Sequence, residues 1–353
     1  MLIILSINMK NIIAQDFSKG SANFIHVSGK DMYVVGMEKN TQGVTVAKLW
    51  INGIAQNLTD GSKNACANSV YVSDKNTYVV GWEVNEQGNS VAKIWKNGKE
   101  QNLTDGSKSA YAYSVYVVNN DIYVAGYEKY SQDRGMIHYC IAKVWINGIV
   151  QCLNDESKSA KAFSIYVSGN DVYIVGNEYL LDNGGITVGV MWKNGVIQHI
   201  GHDNCYFMEA KSVFVTNNDV YVAGFSADCG KGNIAVLWKN GVIHQLSTDN
   251  YFYSNANSVY VSKSDVYVAG VVSDYENEKS AILWKNGIIQ YVSKNWSGAN
   301  SVFVSGKNVY LAGYEAEKDN NSGYNPIAIL GKNKKVQKRS LSVNSIHLYK
   351  SSK

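Results

Sequence analysis

A Tyr-x-x-Gly pair recurs seven times along the chain, and its period leaves few architectures open. The tyrosines are Tyr33, Tyr78, Tyr123, Tyr173, Tyr221, Tyr267 and Tyr310, followed three residues later by Gly36, Gly81, Gly126, Gly176, Gly224, Gly270 and Gly313. Successive glycines lie 45, 45, 50, 48, 46 and 43 residues apart. A length of 353 residues would by itself point to two or three ordinary domains, but a repeat overrides that division. A period in the forties, made of short alternating runs and turn residues, is that of a propeller blade.

Each unit reads as four strands. The first is of the type Ser114-Val115-Tyr116-Val117, and the second, DVYVAG, is entered through a tight polar turn such as Gly169-Asn170 or Asn217-Asn218. The third ends in tryptophan, as in VAKIW at 91–95, and the fourth is the VIQ or EQNL segment. Between the third and fourth stands Asn-Gly, a strong hairpin signal because a type I′ turn needs positive φ at both central residues. Valine and tyrosine dominate the apolar set, and there is one proline, Pro326; both favour strands. No stretch carries the periodicity of an amphipathic helix or approaches the length of a membrane span.

The third strands are apolar on both faces. Before each tryptophan stands an aliphatic residue (Leu49, Ile94, Val144, Met191, Leu237, Leu283, with Leu330 before Gly331), and two positions earlier a small one, Ala47 to Ala328. Sheets covered on both sides fit blades packed on neighbours. Another small residue, from Ala22 to Ala299, opens every first strand, and is expected at the crowded axis. The fold class expected is all-β, a seven-bladed propeller of four-stranded antiparallel blades over 21–342. Residues 1–20 form an N-terminal segment, read either as a signal remnant cleaved near Ala14 or as a closing strand. Residues 343–353 form an extra strand or tail.

The units resemble a repeat of bacterial, often exported, β-propeller proteins with phrases of the type SVYVSGNDVYVAGYE and AKLWKNG. SAYAYSVYVVNNDIYVAGYE at 109–128 and VAKIWKNG at 91–98 carry the likeness. The resemblance implies a propeller and an extracellular, cell-surface or periplasmic location, and no activity.

The net charge of +4 with interspersed signs argues against a nucleic-acid partner, and KNKKVQKR at 332–339 reads as a strand guarded by lysines. Five cysteines without CxxC or repeat periodicity imply neither a disulfide framework nor structural zinc. His199, His202 and Cys205 have metal-like spacing but no evident fourth ligand, and no catalytic fingerprint appears. No cofactor is expected, and a monomer is.

The tryptophans read as scaffold. Folding the second and third strands so that Gly36 faces Trp50 places Glu38 opposite Lys48, and likewise Glu83 opposite Lys93 and Glu128 opposite Lys143. Aromatic cover of a cross-strand glycine is a packing device. With Glu178 and Glu315 these glutamates are also the candidates for an acidic ring. The long loops all lie on one face, where function usually resides. Candidate binding residues there are Trp82, Tyr127, Phe225 and Tyr314, each just after a ruler glycine, and Tyr111, Lys161 and Glu209, each just before the small alanine. The leading expectation is a non-catalytic binding or scaffold propeller for protein or glycan on that face. The alternative is a glycoside hydrolase or lyase with acids at the axial mouth, which in the hydrolase case calls for two carboxylates about 5–10 Å apart.

Overall fold

The computed structural model describes residues 20–130, 139–180, 185–201, 207–227, 232–247, 251–274, 278–293, 296–318, 324–333 and 335–337. The first unit comprises β1 (Gly20–Ser28), β2 (Asp31–Lys39), β3 (Thr45–Ile51) and β4 (Ile54–Asn57), paired antiparallel in chain order. The same order recurs in units that begin at Ala65, Ala110, Ser159, Phe207, Tyr253 and Ser297. Five sheets have four strands; the sixth has eight, because one parallel pair, Thr187 with Phe207, joins two such units. Among the described residues no helix is long and apolar enough to cross a membrane.

The Asn-Gly turns do more than reverse the chain. Asn52 and Gly53 have φ of 52° and 85°, the left-handed pair a type I′ turn requires. The Asn52 side chain also accepts a hydrogen bond from Met32 N at 2.9 Å and donates to Asp31 Oδ1 at 2.8 Å, tying the third–fourth turn to the start of β2. Asn147, Asn194, Asn240 and Asn286 make the same acceptor contact in their units.

The observed register corrects the sequence reading by two residues. Trp50 faces Val34 and Lys48 faces Gly36, and the equivalent pairs are Val79 with Trp95 and Val124 with Trp145. The expected contacts survive as diagonals. Trp145 Cζ3 and Trp238 Cζ3 lie so that a methyl group on Gly126 or Gly224 would come within 3.0 Å of them. Each tryptophan face then packs on the alanine–aliphatic face of the preceding unit. Trp95 clusters with Val35, Ala47, Leu49 and Ala67, and Trp284 with Ala223, Ala235 and Leu237. Trp50, in the first unit, packs with Ala312 and Leu330 of the last.

The inner strands form a closed cycle. A bulge follows the small alanine in all seven units, as between Ala22 and Phe24. That alanine pairs with the ruler glycine, where a side chain would strike the carbonyl of the preceding residue, Ser21 in the first unit. The alanines therefore lie at the interfaces between units and not on the axis, which corrects the expectation. Ala22, for example, is 2% exposed and packs with Trp50 and Ala312. Beyond the bulge, the rings of His26, Tyr71, Tyr116, Tyr166, Phe214, Tyr260 and Phe303 touch in sequence, neighbouring centroids 4.8–5.0 Å apart, and Phe303 returns to His26. Serine hydroxyls stitch the same strands: Ser258 accepts from Val302 N and Ser301 from Ile25 N, 276 residues apart in the chain. The terminal phrases IIAQDFS and VNSIHLY, the two proposed ring-closing strands, lie outside the described residues.

Candidate functional site at the axial mouth

On the long-loop side of the collar the inner strands contribute two layers of side chains. The outer layer is Ser21, Cys66, Tyr111, Lys161, Glu209, Asn255 and Gly298, each one residue before the interface alanine. The inner layer holds the residue just after it. In four units that residue is asparagine, and its amide donates to the next unit's alanine carbonyl: Asn23 to Ala67, Asn68 to Ala112, Asn257 to Ala299 and Asn300 to Ala22, at 2.8–3.0 Å. In the third, fourth and fifth units it is Tyr113, Phe163 and Lys211. The ladder of equivalent bonds is interrupted there, over the same sector as Tyr111, Lys161 and Glu209.

That sector is aromatic and charged together. Tyr113 stacks on Tyr127 with centroids 5.6 Å apart and meets Phe163 edge-on at 5.4 Å. Tyr111 packs between Trp82 at 5.7 Å and Tyr127 at 5.1 Å. Lys161 Nζ lies 5.3 Å from the Tyr127 ring centre, and Lys211 Nζ 5.3 Å from that of Phe225. Glu209 accepts from Asn177 Nδ2 at 3.2 Å and lies 3.7 Å from Lys211 Nζ, while Lys211 donates to Asn257 Oδ1 at 3.3 Å. Burial pushes the Tyr113 phenol up to about 12, with Cys66 and Glu209 adding smaller pushes in the same direction. Tyr253 is raised by burial and by Glu209. Both phenols are therefore neutral proton carriers at physiological pH.

The structure brings Trp82, Tyr111, Tyr127, Lys161, Glu209 and Phe225 to this part of the mouth. Tyr127 and Phe225 are buried, 7% and 6% exposed, with Phe225 stacked on Phe207 at 5.6 Å, so they serve as packing and not as open platforms. Tyr314 lies against Gly298, where a methyl group would come within 2.8 Å of its ring. The glutamates do not assemble into a ring. Glu38, Glu83 and Glu128 are ion-paired to Lys48, Lys93 and Lys143 at 2.9, 2.6 and 2.9 Å. Glu178 is buried beside His199 at 2.9 Å and Lys158 at 3.7 Å, and Glu315 is buried in the last unit. Among the described residues no three His, Cys, Asp or Glu side chains converge as metal ligands; His202 and Cys205 lie outside them. Tyr113, Phe163 and Lys211 escaped the sequence reading. Their signal was the break from Ala-Asn to Ala-Tyr, Ala-Phe and Ala-Lys in three consecutive units.

No protein-family model matches the chain, and no curated protein matches it in sequence. Among solved structures it is similar to a puromycin hydrolase, at a TM-score of 0.56 and 9% identity over 88% of this chain and 52% of that one. It is also similar to the acylaminoacyl peptidase of Pyrococcus horikoshii, at 0.52 and 10% identity over 90% and 53%. The β-propeller domain of the Trilobed protease from Pyrococcus furiosus aligns at 0.50 and 8% identity over 88% and 95%. The likeness establishes a propeller fold. The chain spans about half the length of the first two proteins. These findings correct the leading functional expectation: the three structures named are of a puromycin hydrolase, a peptidase and a protease, so a non-catalytic binding or scaffold module is not the reading they favour.

Proposed function

We propose that the chain is a seven-bladed propeller with an enzymatic role, a polysaccharide lyase or glycoside hydrolase whose reacting groups stand at the axial mouth around Glu209. Seven inner strands in cyclic contact support seven blades, the eight-stranded sheet being two blades bridged at Thr187 and Phe207. The observation that carries the enzymatic reading is the concentration of chemistry in one sector: a carboxylate, two lysines and a neutral phenol gathered where the asparagine ladder is interrupted. Glu209 is the only carboxylate in the two axial layers, which favours elimination over hydrolysis by a pair of acids.

In that elimination Lys161 and Lys211 balance a uronate carboxylate, which makes the neighbouring C–H acidic. Glu209 takes that proton, the C–O bond to the leaving sugar breaks as a C=C bond forms, and the Tyr113 phenol protonates the departing oxygen. The test is incubation with pectate, alginate and hyaluronan, following the ultraviolet absorbance of unsaturated uronate and the release of reducing ends. Glu209→Gln and Lys211→Met are each expected to slow product formation by about 10²-fold or more. Reducing ends without the chromophore indicate the hydrolase arm, and neither signal from any polymer overturns the reading.

The half-length likeness to peptidases supports a second reading, in which this propeller serves a peptidase whose catalytic unit lies elsewhere. Aminoacyl and short peptide substrates belong in the same assay; turnover indifferent to Glu209→Gln selects that reading.

A further inference from the structure

We infer that the axial cavity on the tight-turn side of the ring binds a neutral, hydroxyl-bearing ligand of the size of one sugar ring. The cavity is distinct from the mouth around Glu209, and the inference does not rest on the reading given for that site. It measures about 240 Å³ and lies between the aromatic collar and the serine layer beneath it. A volume of that order suits a single small ring and is too small for a polymer.

Charge decides the first part of the argument. The lining contains no Asp, Glu, Lys or Arg. Its one imidazole, His26, is pushed down to about 4 by burial and is neutral at physiological pH. Burial raises the phenols of Tyr116, Tyr166 and Tyr260. An ion entering here would lose its hydration and meet no opposite charge, which costs more than a neutral cavity returns.

Polarity decides the second. Four phenols, an imidazole and the hydroxyls of Ser114, Ser164, Ser212 and Ser258 line the space, far too many polar groups for a hydrocarbon guest. Each of these serine oxygens accepts a backbone N–H from the next inner strand, at 3.1–3.2 Å. That bond occupies one lone pair and leaves the hydroxyl hydrogen to donate. The distribution is lopsided. Phe24 takes the place that serine holds in the other units and Phe303 beside it carries no hydroxyl, with the neutral His26 ring between them; across the ring Ser114, Tyr116, Ser164 and Tyr166 gather, next to Phe214. A cup with one apolar wall and one hydroxyl-rich wall matches a sugar ring, whose C–H patch packs on aromatic carbon while its hydroxyls bond elsewhere. Successive collar rings are turned by 45–58°, roughly a seventh of a full turn, so each presents the same aspect to the axis and the chemical differences alone orient the guest.

Calorimetric titration of the full chain with D-galactose, D-glucose and N-acetylglucosamine tests this, with choline chloride and sodium sulfate as charged probes. At least one sugar is expected to bind saturably and to change the near-ultraviolet dichroism of the tyrosines; neither ion should. The Tyr116→Phe, Tyr166→Phe double variant should weaken the sugar at least tenfold, roughly the loss of one or two hydrogen bonds. It keeps every ring, and Phe214 and Phe303 already occupy equivalent places; it should keep the parent's far-ultraviolet dichroism and a cooperative melt, so that weaker binding is not loss of fold. Glu209→Gln should bind the sugar as the parent does. The inference is overturned if no sugar saturates, if an ion binds in preference, if the double variant binds as well as the parent, or if Glu209→Gln abolishes binding.

Discussion

Two tryptophans in equivalent places differ in one hydrogen bond, and that difference can be weighed. Trp145 is 1% exposed and its indole N–H donates to Leu103 O at 3.1 Å, on the preceding unit. Trp95 is fully buried in the matching position, and its N–H meets no acceptor among the described residues. Changing either to phenylalanine removes the same ring area and leaves a similar void. Trp145→Phe also removes a buried N–H···O bond, with a net value of about 1 kcal/mol, and strips the Leu103 carbonyl of that donor. Trp95→Phe instead removes an unsatisfied buried donor, which offsets part of the lost packing. Trp145→Phe is therefore expected to be the more destabilising by about 1–2 kcal/mol, and either alanine variant should cost about 3–5 kcal/mol. The assay is urea unfolding followed by the remaining tryptophan fluorescence, comparing midpoints at unchanged m. Equal losses, or a larger loss for Trp95→Phe, would refute the claim that the indole N–H links adjacent units.

Gly270→Ala should destabilise by about 1–3 kcal/mol or more, because its methyl group would strike the Asn255 carbonyl and come within 2.7 Å of Trp284 Cζ3; thermal melts of the variant check it. His26, held near 4 by burial against 6.5 when free, makes the unfolded chain the better proton binder between those values. Stability should then be fully present above about pH 6.5 and fall as pH drops toward 4, by about 3 kcal/mol at most. His26→Phe should flatten that slope, and a melting profile parallel to the parent's across the window would count against the assignment.

The repeat, the four-strand order and the Asn-Gly turns were all legible, since each rests on local spacing and on backbone angles that few residues tolerate. The register was misread by two residues for a definable reason. Tryptophan over glycine and glutamate beside lysine are diagonal neighbours, as Gly36 facing Lys48 shows, whereas residue spacing alone describes them equally well as direct opposites. The axis was misread because of the bulge after Ala22. One extra residue reverses the alternation, so Ser21 and Asn23 lie on one side of the break while Phe24 and His26 face the axis beyond it. Alternation counted along a strand has no means of registering that shift. Among the candidate residues, Lys161 and Glu209 were found because their position varies from unit to unit, while Lys211 and Tyr113 went unnoticed in the layer beneath, two residues further along their strands.

Repetition itself explains where chemistry is to be sought in a molecule like this one. The near-identical units satisfy their backbone by the same few contacts: the turn asparagine and, in six of them, the serine hydroxyl on the next strand. A residue obeying the repeat is accounted for by those contacts. Departures are different, because each gives up a bond its counterparts make. Tyr113, Phe163 and Lys211 forgo the amide-to-carbonyl link that Asn23, Asn68, Asn257 and Asn300 supply, and Phe24 forgoes the serine bridge present at Ser258 and Ser301. Lost links of this kind cost about 1 kcal/mol each, and the three lost asparagine links fall in consecutive units, in the Glu209 sector of the mouth. That run of three beside Glu209 is the physical ground for seeking the proposed reaction there, and the Phe24 departure marks the side of the axial cavity where a ligand's C–H patch would pack.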